Sequence, residues 1–287
     1  MAEHEMIGTS RQNRIMAHFL LVIGVIVVAF PIWYVFVAST HPLQQILRPP
    51  LPLLPGAEGP SNYARALGGG IGQISRVGVD RLLLNTAVVA FGIAIGKILI
   101  SMASAYAIVF FRFPLRMVCF WMIFITLMLP VEVRILPTYK VMVDLRLIDT
   151  YAGLILPLVA SATGTLLFRQ FFMTIPNELM EAARVDGAGP WRFFKDILLP
   201  LSATNIAALF VILFIYGWTQ YLWPLLVTNS NSMNTIVIAL RKMISFADAD
   251  TPWDLVMVTC VLAILPPILV VVLMQRWFVK GLVETEK

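Results

Sequence analysis

Pro176-Asn177-Glu178-Leu179-Met180-Glu181-Ala182-Ala183-Arg184-Val185-Asp186-Gly187 is followed nine residues later by Ile197-Leu198-Leu199-Pro200. This polar stretch lies between two membrane-length apolar segments, at roughly 150 to 171 and 203 to 227. A proline at the start, acids early and a glycine where the helix should stop predict one short helix over 177–187. A helix of roughly ten residues is marginal alone in water, so it needs a surface on which to dock. Ala182 and Ala183 carry little bulk, and a partner could approach the backbone there. The other reading is an amphipathic helix lying on the membrane. Against it, Glu178, Glu181, Asp186 and Asp196 balance Arg184, Arg192 and Lys195, where a lipid-bound helix would be rich in cations.

Composition decides the class. Of 287 residues 59% are hydrophobic and 13% charged, and the mean hydropathy is +0.85. A soluble core of this length cannot hide so much apolar surface, so the chain is read as an all-α membrane protein. A bilayer core asks for about 20 apolar residues per helix, and six candidates run roughly 15 to 38, 82 to 110, 117 to 137, 150 to 171, 203 to 227 and 255 to 278. The uncharged run from Ile15 to Leu47 is too long for a cleaved secretory signal and is expected to stay as an anchor. A short cytoplasmic segment, 1–14, thus precedes one membrane domain, 15–287. With the N-terminus inside, eleven Lys and Arg residues fall on inner segments and eight on outer ones. That bias predicts cytoplasmic N- and C-termini and puts the Glu181 helix in the cytoplasm.

The loops carry little chemistry. Thr40 to Arg81 holds six prolines and Gly68-Gly69-Gly70, and reads as an ordered, irregular outer cap. The glycine run lacks the Lys-Ser or Lys-Thr of a phosphate-binding loop, and Gly96-Lys97-Ile98 fails the same test. His4, His18 and His41 have no metal-ligand spacing, so no metal or other cofactor is expected. Cys119 and Cys260 lie in apolar segments as small hydrophobes. The net charge of +5 would suggest nucleic acid in a soluble chain, but here the basic residues mostly flank spans. Around 229 to 254, the apolar core Ile236-Val237-Ile238-Ala239-Leu240 predicts a short outer helix or lid.

Charges within spans call for a reason. Lys97 lies deep in the second candidate span, and Glu132 and Arg134 lie near the outer end of the third. Two positions apart on a helix, Glu132 and Arg134 point in different directions and do not simply pair. The planar fork of Arg134 suits a phosphate, and Lys97 is a second candidate for an anion path. The competing reading makes Arg134 a structural tie or a side chain reaching the outer interface. Tyr216, Trp218, Tyr221 and Trp223 crowd the end of the fifth span, as an interfacial belt or as the mouth of a path. Gln220 and Asn205 share that span and suit interhelical hydrogen bonds, with Gln220 also near the mouth.

The stretch from Glu181 to Pro200 resembles the E-A-A, x3, G, x9, I, x, L-P loop of permease subunits of bacterial ABC importers, and every fixed position is filled. Segments 120–134, 168–174 and 274–279 are similar to the second permease subunits of sn-glycerol-3-phosphate importers, over nearly the whole chain. The resemblance implies a type I ABC importer permease fold of six transmembrane helices in the bacterial inner membrane. It implies a coupling helix that seats in a groove of a cytoplasmic ATPase, with Glu181, Ala182, Ala183, Asp186, Gly187, Ile197, Leu199 and Pro200 as the coupling residues. It also implies four kinds of company: a different second permease, two ATPase subunits, a periplasmic binding protein and membrane lipid. The expected solute is sn-glycerol 3-phosphate, with glycerophosphodiesters as further substrates; uncharged sugars or polyols are the alternative. A secondary carrier would show paired repeats and intramembrane acids, and an enzyme would show a catalytic constellation. Neither pattern is found in the sequence.

Overall fold

A computed structural model describes residues 11–68, 77–126, 131–245 and 251–283, and the side chains of Arg11, Gln12, Val131, Glu132, Ser245 and 278–283 lie outside that description. Residues 1–10, Gly69, Gly70, 127–130 and 284–287, on which expectations also fell, lie outside it too. Every regular element among the described residues is helical.

Helix α1 (Arg11–Ser39) is apolar all round, and only 6% of its most apolar window is buried. Such a helix needs a surrounding of lipid or another chain. It packs within the subunit on the last helix and is followed by α2 (Leu43–Ile46) and α3 (Gly59–Gly68). Helix α4 (Val79–Phe110) is the axis of the molecule. Its 32 residues span about 48 Å, longer than a hydrocarbon core of about 30 Å, so both of its ends emerge.

The expected third span, 117 to 137, is described on either side of residues 127–130. Helix α5 (Arg116–Ile125) and helix α6 (Val131–Asp144) flank residues outside the description. The fourth span is α7 (Tyr151–Ile155), a 3-10 turn (Leu156–Leu158) and α8 (Ala162–Met173), with a bend of 50°. Pro157 starts the tight turn, and Ser161 restarts the helix by accepting the Gly164 N–H at 3.2 Å. Ser101 Oγ of α4 donates to the Ser161 carbonyl at 3.2 Å, satisfying part of the opened backbone.

Helix α9 (Asn177–Val185) follows, then α10 (Pro190–Phe193), a π turn (Phe194–Leu198) and α11 (Leu199–Leu201). The chain bends by 72° into α12 (Ala203–Trp218). The fifth span was expected to continue to 227. It stops at Trp218, and α13 (Leu222–Val227) is a separate helix. Pro224 explains the stop: it has no N–H for the Gln220 carbonyl, and its ring would collide with that group. Helix α14 (Ile236–Ser245) forms where the apolar pentad predicted it, and α15 (Trp253–Val283) is the last span. Helix α14 is no loose lid, because Ile236, Ala239 and Met243 are buried against Val79, Leu82 and Val256.

Among the described residues three single helices are long and apolar enough to cross a membrane, and the number reaches five if each of two bent pairs is one span. The core forms where α4 meets α8 and α12, around Ala94, Met102, Phe168, Phe172 and Phe214. Close approach rests on small residues. A Cβ on Gly217 would lie 2.9 Å from Ala90 Cα, so α12 presses directly on the α4 backbone.

Candidate functional site

Helix α9 begins at Asn177, as expected, and its helical residues end at Val185, two residues short of the expected 187. Pro176 is its N-cap in extended conformation, with no side-chain cap bond, and Asn177 is the first helical residue. Its end is closed by a left-handed glycine, as the sequence predicted: Gly187 has φ +72°. The Gly187 N–H donates to the Arg184 carbonyl at 3.0 Å and the Ala188 N–H to the Ala183 carbonyl at 2.8 Å. These are the paired bonds of a Schellman cap. A side chain at 187 would meet open space, so the conformation, and not crowding, requires glycine there.

The two alanines part company. Ala183 is buried (5% exposed) and joins Phe172, Phe193 and Leu198, with Met180 packed beside it. Ala182 is exposed, as are Glu178, Glu181, Asp186 and Gly187. Of the two alanines read as room for a partner, only Ala182 is open on the surface; Ala183 makes room for the subunit's own aromatic floor. Val185 is 87% exposed and Trp191 is 73% exposed. Apolar side chains presented beside acids on a short, marginal helix suit a docking surface better than bulk water.

That floor is a set of rings. Phe110 lies 5.4 Å from Phe193 and Tyr106 lies 5.1 Å from Phe194 between centroids, and Tyr106 donates its hydroxyl to the Pro190 carbonyl at 2.8 Å. The end of α4 thus holds the whole loop. Ile197 packs against this cluster in part, Leu198 is fully buried, and Leu199 and Pro200 are exposed. Pro200 cannot donate to the Asp196 carbonyl, and the chain passes through the π turn just before it. The sequence reading missed Leu198, Phe193 and Tyr106. An aromatic pair at 193–194 facing another at 171–172 was the available signal.

The path candidates also divide. The Lys97 ammonium lies 4.3 Å from the centroid of the Tyr216 ring. Such contacts return about 0.5 to 2 kcal/mol, less than the about 2.5 to 3.5 kcal/mol for a central charge on insertion scales. Arg134 lines a small crevice with Ile135, Thr138, Pro157, Leu158 and Trp223. Trp218 departs from the expected path: it is buried (4% exposed) and its indole donates to the Ala263 carbonyl at 3.0 Å. Trp223 is likewise internal and donates to the Gly153 carbonyl at 3.1 Å, so neither ring belongs to an interfacial belt. Gln220 turns its amide back to the Tyr216 carbonyl at 3.1 Å and serves its own chain.

The far end of α4 is tied by polar groups that the sequence reading did not single out. Asn85 is fully buried and donates to the carbonyls of Ser232 (2.7 Å) and Asn234 (3.0 Å), while accepting from the Tyr151 hydroxyl (2.6 Å). Thr86 Oγ1 accepts the Ile236 N–H at 2.8 Å. Asp149 Oδ1 accepts the N–H groups of Asn229 and Ser230, both at 3.1 Å. Partial burial pushes its carboxyl pKa up, but the bonds from Ser230 and Asn229 outweigh that and hold it below the ordinary value. Nearby, Arg65 pairs with the buried Asp254 at 2.6 Å, and Asn62 donates to the Ser39 and His41 carbonyls, each at 3.0 Å.

Comparison with known proteins gives this architecture its family. Residues 97–284 match the family described as binding-protein-dependent transport system inner membrane component. The sn-glycerol-3-phosphate transport system permease protein UgpE of Rhizobium meliloti (strain 1021) is 70% identical over 275 residues, covering 96% of this chain and 98% of the relative. The protein of the same name from Yersinia pestis bv. Antiqua (strain Antiqua) is 55% identical over 282 residues, covering 98% and 100%. A chain of a bacterial ABC transporter involved in the import of the acidic polysaccharide alginate has the same fold. It superposes with a TM-score of 0.80 at 24% identity, covering 94% of this chain and 98% of that one. With a type I ABC importer permease fold and relatives this similar over nearly its whole length, the chain belongs to the inner-membrane permease components of binding-protein-dependent transport systems.

Proposed function

We propose that this chain forms half of the translocation path of an ATP-driven importer for a phosphorylated small solute, sn-glycerol 3-phosphate foremost. The observation that carries this reading is the 70% identity, over 96% of the chain, to a permease protein named for sn-glycerol-3-phosphate transport. The physical case agrees. A phosphate monoester carries about 1.5 to 2 negative charges, and entry against an inside-negative potential costs about 2.3 kcal/mol per charge per 100 mV. An open pore would drain such a solute outward, so a gate driven by ATP suits the task.

In this reading residues 1–14 and the C-terminus are cytoplasmic and residues 15–287 form a single permease domain. The exposed face of α9, with Glu181, Ala182, Asp186 and Gly187, docks on one of two ATPase subunits that supply the hydrolysis. Ala183, Ile197, Leu199 and Pro200 hold that face at its angle to α12. The bare surface of α1 meets lipid and a second, different permease. A periplasmic binding protein delivers solute to the end of the molecule where Asn85 and α14 lie. Lys97, Tyr216 and Arg134 border the path within the membrane.

The test is uptake of labelled sn-glycerol 3-phosphate by a strain from which this gene has been deleted. Uptake should fall to background and return with the gene. Loss of uptake of an uncharged sugar or polyol, with glycerol phosphate uptake unchanged, would move the chain to another substrate class.

A further inference from the structure

Lys97 and Arg134 approach the elbow of the fourth span from two different helices. On α4, Gly96 and Gly92 press on that elbow: a Cβ at either would lie 2.6 Å from Val159 Cγ1 or Ile155 Cδ1. Lys97 is the next residue, and its ammonium rests over Tyr216. On α6, Arg134 and Thr138 share a crevice with Pro157 and Leu158 of the elbow itself. Tyr216, Leu158 and Trp223 belong to one apolar cluster, so the two cations border the same packed unit. Both are half-buried. The ion pairs among the described residues are Arg65 with Asp254 and Arg192 with Asp196, and neither involves these cations.

Two like charges on different helices bordering one packed unit, with an aromatic face and, among the described residues, no paired carboxylate, form an arrangement that an anion would complete. We propose that Lys97 and Arg134 together read the charge of the solute, favouring phosphate monoesters over phosphodiesters and over uncharged polyols. The inference rests on the phosphorylated-solute reading above and deepens it. A monoester brings about 1.5 to 2 negative charges and can answer both cations. A diester brings one and leaves the other cation desolvated without a partner, which disfavours it. Arg134 supplies a planar fork for two phosphate oxygens and Lys97 a mobile point charge. The ring of Tyr216 stabilises the ammonium between passages.

The experiment uses the complete importer in proteoliposomes, with saturating binding protein, and compares initial uptake of glycerol 3-phosphate with that of glycerophosphoglycerol, a singly charged diester. Lys97→Gln and Arg134→Gln should each lower the monoester-to-diester ratio by about tenfold, whereas Lys97→Arg and Arg134→Lys should hold it within about threefold. Co-purification of the partner subunits separates a failure to assemble from a change in preference, and Lys97→Gln carries the test where Arg134→Gln does not assemble. An equal fall for both solutes, or an unchanged ratio, overturns the proposal; an anionic lipid headgroup held at these cations would give the unchanged ratio. If the wild-type importer moves neither ester, the substrate reading itself fails. If it moves both and the ratio stays fixed in the Gln variants, only the two-cation reader fails.

Discussion

At one end of α4 the buried amide of Asn85 and the hydroxyl of Thr86 bind backbone groups some 150 residues away in sequence, fastening α14 and the loop before it to the bundle. At the other end the same helix meets the Glu181 loop through rings and through the bond from the Tyr106 hydroxyl to the Pro190 carbonyl. The first end answers its polar groups internally. The second keeps its acids, Ala182 and Val185 turned outward, on a helix of nine residues. Directional bonds set one arrangement and resist displacement, whereas apolar packing on a smooth floor supports a short helix and leaves its outer face for another protein. On the proposed function, the contrast suits an importer whose solute-receiving end must keep its shape and whose ATPase end must pass on a push.

The sharpest way to break the comparison is to remove the axis that both ends share. Gly217→Val should prevent accumulation of the folded subunit, because the new Cβ meets the backbone of Ala90 at 2.9 Å and no side chain can swing aside. Membrane levels and co-purification of partners check this. Near-normal assembly would show that α4 and α12 pack less tightly than described.

Next in size are changes on the outward face of α9. Glu181→Lys reverses a charge at an exposed position and should leave the subunit inserted while uptake falls at least tenfold, with binding-protein-stimulated ATP hydrolysis uncoupled or weakened. Gly187→Trp should act the same way, by strain at φ +72° and by bulk thrust toward the partner. Neither effect should occur if this face meets only lipid.

Much of this was legible because helix caps are local. The glycine stop of α9, the apolar start of α14 and the length of α4 follow from neighbours in the chain. The inward turn of Ala183 was not legible, since it depends on Phe172 and Phe193 arriving from α8 and α10. Trp218 and Trp223 misled for the same reason: an indole at a span end suits an interface, unless carbonyls such as those of Ala263 and Gly153 reach it inside. Pro224 was a local signal that could have ended the fifth span at 218, and Asn85 was a lone amide in an apolar run that announced a buried partner. The elbow at 159–161 depends on Ser101 from another helix as well as on Pro157 and Ser161.

At the tied end, Asn85→Leu strands the Asn234 carbonyl in a buried position, costing about 1 to 3 kcal/mol, and removes the partner of the part-buried Ser232 carbonyl and Tyr151 hydroxyl. Thermal stability of the purified complex should fall, and protease should cut more readily between 228 and 235. An unchanged melting temperature and cutting pattern would mean that the loop is held by apolar packing, and the contrast between the ends would vanish.

The smallest expected effect belongs to Asp149. Its carboxyl pKa is held below the ordinary value, so its contribution is complete above that ordinary value and is lost as pH falls through the lower, folded-state one. Asp149→Asn should loosen the same loop slightly at neutral pH and flatten its acid sensitivity. Equal acid sensitivity in wild type and variant, followed by limited proteolysis, would remove the carboxylate from the account.

The outward docking of α9 is tested most directly by comparing its two alanines. With Cys119 and Cys260 replaced by alanine, Ala182→Cys and Ala183→Cys are each treated in the assembled importer with a short thiol crosslinker, the ATPase subunits carrying cysteines in their membrane-facing groove. A crosslink to the ATPase from position 182, with little or none from position 183, is the expected result. Equal crosslinking from both positions, or none from 182, would contradict the account.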